Sequence, residues 1–164
     1  MSKSARIAKG PELIGKYMSV LLRTAHSMIA RDLLEFGIGS GQHMFLLSLN
    51  RSDGVKLDTL TKRLMVDKAT TTRAVSKLEK MGYVRREVDP SDKRAYLVYM
   101  TPEGRSVIPR VRQTLKEVMD MQTSDLSDQE KAELTRILLK MVESCRDEMK
   151  DHHDVSPSKG GDRS

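Results

Sequence analysis

The stretch Asp67–Arg94, DKATTTRAVSKLEKMGYVRREVDPSDKR, reads as a short helix, a glycine break, a basic strand and a charged hairpin tip. Asp67 is placed to act as N-cap, its carboxylate accepting from the first unpaired N–H groups of the turn. Gly82 stands where a left-handed C-terminal residue belongs. At ~100° per residue, Thr71, Ala74, Val75, Leu78 and Met81 fall on one side, Thr72, Arg73, Ser76 and Lys80 on the other, with Thr70 and Lys77 flanking. One face is core. The other carries short hydroxyls and long cations, the side chains that suit a major groove: Ser and Thr reach phosphates or base edges at close range, and Arg can bind guanine bidentately.

The flanks extend the pattern. Tyr83–Val88 and Tyr96–Met100 are strand-like runs separated by the turn-rich Asp89–Ala95, which predicts a β-hairpin with a basic tip. Upstream, Leu57, Leu60, Leu64 and Met65 have helical spacing, and only Val66 and Asp67 separate them from the next helix. Helix, tight turn, helix and hairpin make a winged helix-turn-helix. The expected class is mainly α (α+β), with a two-stranded hairpin wing and with N- and C-terminal helices forming a dimerisation region.

Several pieces in order resemble the MarR family of transcriptional regulators. They are Leu60-Thr-Lys-Arg-Leu64, Thr70-Thr-Thr-Arg73, Leu78-Glu-Lys-Met-Gly-Tyr-Val-Arg-Arg86, Asp92-Lys-Arg94 and Thr101-Pro-Glu-Gly104. The resemblance runs roughly from Pro11 to Met149 and is most specific between Lys56 and Gly104. Three positions depart from it: Thr61 where the family often has Ala, Met100 for a frequent Leu, and Thr71 for a more usual inward apolar residue.

Charge is concentrated on the same segment. The chain of 164 residues carries 29 basic and 23 acidic side chains, a surplus of six. Lys56–Arg94 holds eleven basic and six acidic residues, leaving a surplus of only one for the rest. A basic surface on a helix-turn-helix is the electrostatic footprint of duplex binding. Two Phe, four Tyr and no Trp disfavour base-stacking platforms for single strands. One Cys rules out an internal disulfide framework and suits a reducing cytosol; no apolar run approaches the ~20 residues of a membrane span, so a cytoplasmic protein is expected.

In chain order, residues 1–10 are a flexible, basic N-terminus; 11–36 and 101–150 form the dimerisation region; 40–100 form the DNA-binding domain; and 151–164 are a disordered tail. Pro11 opens a long helix whose apolar residues, from Leu13 to Leu34, cover more than one stripe and need partners on two sides. Ser40 is the expected cap of a helix over Gln42–Arg51. Thr101 caps the helix after the hairpin, which Pro109 is expected to kink, and Ser127-Asp-Gln-Glu130 is a capping box for the last helix. Cys145 lies on that helix's apolar stripe and is expected to be a buried structural thiol.

The major-groove residues expected are Thr70, Thr72, Arg73, Ser76 and Lys77, and the resemblance implies contacts at the matching positions. It also implies a minor-groove arginine at Arg94 on the wing beside Lys93, with Asp92 holding that side chain or the wing in position. Strand alternation lets only one of Arg85 and Arg86 face DNA. The family commonly binds small anionic or phenolic effectors in a cleft, which Tyr17, Arg23, His26 and His43 could line; a carboxylate effector would favour Arg23. No catalytic constellation emerges, and no cofactor is expected. Nor is a metal, since His152-His153 lie in a tail without preformed geometry. The expected function is a homodimeric regulator, repressing by default, on a pseudo-palindromic operator. The alternative is a non-specific architectural duplex binder using the same basic surface.

Overall fold

The computed structural model describes residues 10–39 and 41–154, with side chains as far as Arg146. The expectations for residues 1–9, Ser40, the side chains of His152 and His153, and residues 155–164 lie outside the described residues. The order is α1 (Pro11–Asp32), a 3₁₀ turn (Leu34–Phe36), α2 (Gln42–Arg51), β1 (Val55–Lys56), α3 (Leu57–Leu64), α4 (Lys68–Lys80), β2 (Val84–Asp89), β3 (Asp92–Met100), α5 (Pro102–Gln122) and α6 (Asp128–Asp154). The chain divides into two compact units, Met1–Gln122 and Thr123–Ser164.

In the first unit, one core gathers Leu46 and Leu49 of α2, Leu60 of α3, Val75 and Leu78 of α4, Val84 and Val98 of the sheet, and Val107, Ile108 and Val111 of α5. The inward face of α4 is the predicted one: Thr71, Ala74, Val75 and Leu78 are buried. Its ends also match. Asp67 is the N-cap, and Gly82 adopts φ +77°. α2 has Gly41 as its N-cap, with no side-chain cap bond, and Gln42 Oε1 instead accepts from Gly39 N at 2.8 Å.

Two of the three family departures are partners. Thr61 Oγ1 of α3 donates to Thr71 Oγ1 of α4 at 2.8 Å, and Thr71 donates onward to the Asp67 carbonyl at 3.2 Å. A fully buried hydroxyl at Thr71 is therefore satisfied across the helix-turn-helix by the other unusual residue. Double-mutant cycles of Thr61→Ala and Thr71→Val should give a coupling energy of about 0.5–1.5 kcal/mol in denaturant unfolding. Simple additivity of the two single changes would contradict that.

The sheet has the order β1-β3-β2, all antiparallel. β1 was not expected; two residues are too few to show a strand period. The hairpin is tighter than the sequence suggested. Asp89 pairs with Asp92, so only Pro90-Ser91 turn the chain, and Asp89 Oδ1 accepts from Ser91 N at 2.9 Å and Ser91 Oγ at 2.6 Å. That turn is closed by side-chain chemistry rather than by length.

α5 runs unbroken through Pro109, whose missing N–H leaves only one carbonyl short. Its start is stitched to the end of α4. Thr101 Oγ1 donates to Gly82 O at 2.6 Å and accepts from Gly104 N at 3.0 Å, while Thr101 N donates to Tyr83 O at 3.1 Å. Asp53, before β1, accepts from Met100 N at 2.8 Å and pairs with Arg105.

In the second unit the capping box forms reciprocally: Glu130 Oε2 accepts from Ser127 N at 2.8 Å, and Glu130 N donates to Ser127 Oγ at 3.4 Å. α6 extends to Asp154, past the expected boundary at residue 150. Cys145 is exposed, not buried, because nothing within this unit covers the stripe it sits on.

Candidate nucleic-acid interface

The outward face of α4 begins with a small network. Asp67 Oδ1 accepts from Thr70 N at 2.7 Å and Oδ2 from Thr70 Oγ1 at 2.6 Å; Arg73 Nη2 donates to the same hydroxyl at 3.2 Å. The Thr70 hydroxyl, then its N–H, hold the Asp67 carboxyl below its ordinary range, and the Arg73 charge adds to this. The helix N-terminus favours the same carboxylate. Thr70 is thus half-buried and engaged, and Arg73 is exposed but oriented.

One turn on, Thr72 is exposed with its hydroxyl bonded back to Lys68 O at 2.8 Å, and Ser76 is half-buried. Lys77 is exposed, and its Nζ would lie 3.5 Å from a Cβ placed on Gly39, so it reaches toward the loop before α2. Thr70, Arg73 and Lys77 form one row at helical spacing, and Thr72 and Ser76 a second. The five expected residues therefore share one side of the helix.

The wing presents its basic tip by a shift in register. Val88 faces Tyr96 but Asp89 faces Asp92, which leaves Lys93, Arg94 and Ala95 unmatched on β3. Such a bulge turns side chains out of the ladder. Asp92 Oδ1 accepts from the Arg94 backbone N–H at 3.0 Å. It holds the bulge; the guanidinium is not its partner. Asp92, Lys93 and Arg94 are all exposed.

Behind the tip, the wing is pinned twice. Lys56 of β1 pairs at 2.8 Å with Asp89, and this bond, followed by those from Ser91, drives the Asp89 carboxyl far below the usual carboxylate range. Arg86 donates from Nε to Glu79 of α4 at 2.9 Å, with Nη2 on the same oxygen, which lowers the Glu79 carboxyl and raises the Arg86 guanidinium. Arg85 lies 4.7 Å from the Tyr99 ring centre and 3.1 Å from Glu87. Both guanidiniums therefore have partners within the chain. Spacing revealed the alternation but not the partners: Glu79 seven residues from Arg86, Tyr99 on the neighbouring strand and Glu87 two residues along the same strand from Arg85.

The four effector candidates are less gathered. Tyr17, Arg23 and His26 are exposed on α1, whereas His43 on α2 is buried with Nδ1 lacking a partner. Burial first, and the charge of nearby His26 second, push the His43 imidazole below its ordinary 6.5. The unfolded chain takes up this proton before the folded one does. Stability from this group is complete above the ordinary value and is lost as pH falls below it. The thermal midpoint should therefore drop between about pH 7 and 5 by more in the wild type than in His43→Gln; parallel curves would assign the drop elsewhere.

A protein-family model described as the MarR family matches residues 38–96, the span from the start of α2 to the wing. A MarR transcriptional regulator from Methanosarcina mazei Go1 is 38% identical, covering 81% of this chain and 96% of its own, with a TM-score of 0.77. The HTH-type transcriptional regulator BilQ of Clostridioides difficile (strain CD3) is 28% identical over 65% of this chain and 72% of its own length. A MarR-family regulator from Listeria monocytogenes, solved with a 26mer DNA, has the same fold at 23% identity and a TM-score of 0.77, covering 91% of this chain and 96% of its own. Together with the winged helix-turn-helix and its basic face, these likenesses show that the chain belongs to the MarR family of DNA-binding transcriptional regulators, which are not enzymes.

Proposed function

We propose that the protein is a homodimer that binds a pseudo-palindromic operator sequence-specifically, represses by default, and is modulated by a small anionic or phenolic ligand. The observation that carries this reading is the outward side of α4, where Thr70, Thr72, Arg73, Ser76 and Lys77 share one side and Asp67 orients Arg73 through Thr70. Hydroxyls and one oriented guanidinium suit base edges; a merely non-specific surface needs cations alone. Lys93 and Arg94, turned out by the bulge, suit the minor groove and its phosphates.

The homodimer is supported by apolar surface that each unit leaves open. On α1, Ile14, Tyr17 and Leu22 are 55%, 59% and 56% exposed; on α6, Leu139 and Val142 are 54% and 44% exposed. Monomers rarely expose patches of that kind, and a two-fold copy offers self-complementary cover. Among the described residues no helix is long and apolar enough to cross a membrane, in keeping with action on DNA in the cytoplasm.

Sedimentation at micromolar concentration and binding stoichiometry on one duplex test the reading. Two chains per particle and two per operator are expected; a monomer binding one chain per duplex contradicts it. For the effector, benzoate and phenol serve as probes. One of them should raise the thermal midpoint and weaken operator binding, and Arg23→Ala should abolish the benzoate effect.

A further inference from the structure

Val88 and Tyr96 are directly opposed as the last regular pair before the hairpin turn and are 50% and 47% exposed, an apolar pair among the exposed charged residues Arg85, Glu87, Lys93 and Arg94. Strand alternation puts Val88 on the same face as Arg86, two residues back, and Arg86 is bound to Glu79 of α4. That face is therefore the one turned toward the DNA-facing helix. The Arg94 bulge begins immediately beyond Tyr96. The pair lies midway between an ion pair rooted on α4 and the basic tip.

A wing rooted on a helix in the major groove, with its tip in the minor groove, must cross the sugar–phosphate ridge between them. On such a path the residues midway on that face would lie against deoxyribose, whose carbon-rich surface suits an aromatic ring and a Val methyl. The Glu79–Arg86 pair is internally neutralised, so the middle of the crossing carries no free cation.

We propose that Tyr96 and Val88 form an uncharged contact to the deoxyribose backbone of duplex DNA, between the groove-reading helix and Arg94. The proposal rests on the DNA-binding reading above. Its occupant is duplex DNA because the pair is continuous with α4 on one side and Lys93-Arg94 on the other. Such a contact strengthens binding without reading sequence and without releasing counterions.

The test uses the full-length protein with Tyr96→Ala, Tyr96→Phe and Val88→Ser on a preferred duplex and a scrambled one across a salt series. Tyr96→Ala should weaken both about tenfold. The slope of log affinity against log salt should stay at the wild-type value, whereas Arg94→Ala should reduce it by about 0.9. Tyr96→Phe should retain most of the affinity, and Val88→Ser should weaken binding in the same salt-independent way. Hydroxyl-radical footprinting should show Tyr96→Ala losing protection at sugars in one place per half-site. Wild-type affinity and footprint in Tyr96→Ala, or a changed salt slope, overturns the proposal while leaving the DNA-binding reading intact. So does a Tyr96→Ala protein whose self-association changes without DNA, since the pair would then face another copy of the chain. A wild-type protein that binds no duplex overturns both readings.

Discussion

Gly104→Ala is expected to lower stability by about 3 kcal/mol, or roughly 6 to 12 °C in thermal midpoint for a domain of this size. A Cβ at this position would lie 2.1 Å from the Tyr83 carbonyl oxygen and 2.9 Å from Met100 Cγ. The side chain of Met100 has room for only a small adjustment, being 4% exposed. The carbonyl is held harder: it accepts from Thr101 N at 3.1 Å, while Tyr83 N donates to Leu78 O at 3.0 Å. The end of α4, the root of the wing and the start of α5 meet within these few atoms. Thermal melts of the single variant check the estimate; a fall of under about 2 °C would mean that α5 can slide without cost.

Arg73→Ala is expected to lower affinity for the preferred duplex by about 1–3 kcal/mol while changing affinity for a scrambled duplex far less. Arg94→Ala should weaken both more evenly and reduce the salt slope by about 0.9. The division follows from how each guanidinium is held. Arg73 is oriented by Thr70, which Asp67 fixes in turn, so it presents a defined fork to a base edge. Arg94 stands on a bulge whose backbone, not its side chain, is fixed by Asp92. Equal losses on both duplexes for both variants would contradict the assignment. Arg73→Lys should not restore specificity, because a point charge cannot reproduce bidentate geometry.

Much of this was legible because the decisive features are local. The Asp67 cap, the α4 face and the Gly82 stop are set by residues within one or two turns of each other, and side-chain spacing reports them directly. The capping box at Ser127 and Glu130 is equally local. What escaped is carried by contacts distant in sequence or by single bonds. β1 exists because Val55 and Lys56 pair with Val98 and Leu97, and nothing in two residues announces that. The two-residue turn depends on what Asp89 accepts, and its anchor Lys56 lies on another strand. Thr61 and Thr71 each looked like a departure from a pattern; ten residues apart, they form one hydrogen bond. Cys145 is exposed in the single chain because an apolar stripe indicates that a face seeks cover, not that its own unit supplies it.

The most direct measurement is selection of bound duplexes from the protein's own genomic DNA, followed by affinity on the best fragment and on a scrambled one across a salt series. The account predicts an inverted repeat with half-site centres ~10 bp apart and a preference of at least ~10³ that persists as salt rises. Fragments that bind alike, with affinity simply collapsing as salt rises, would contradict sequence-specific regulation and identify a non-specific duplex binder.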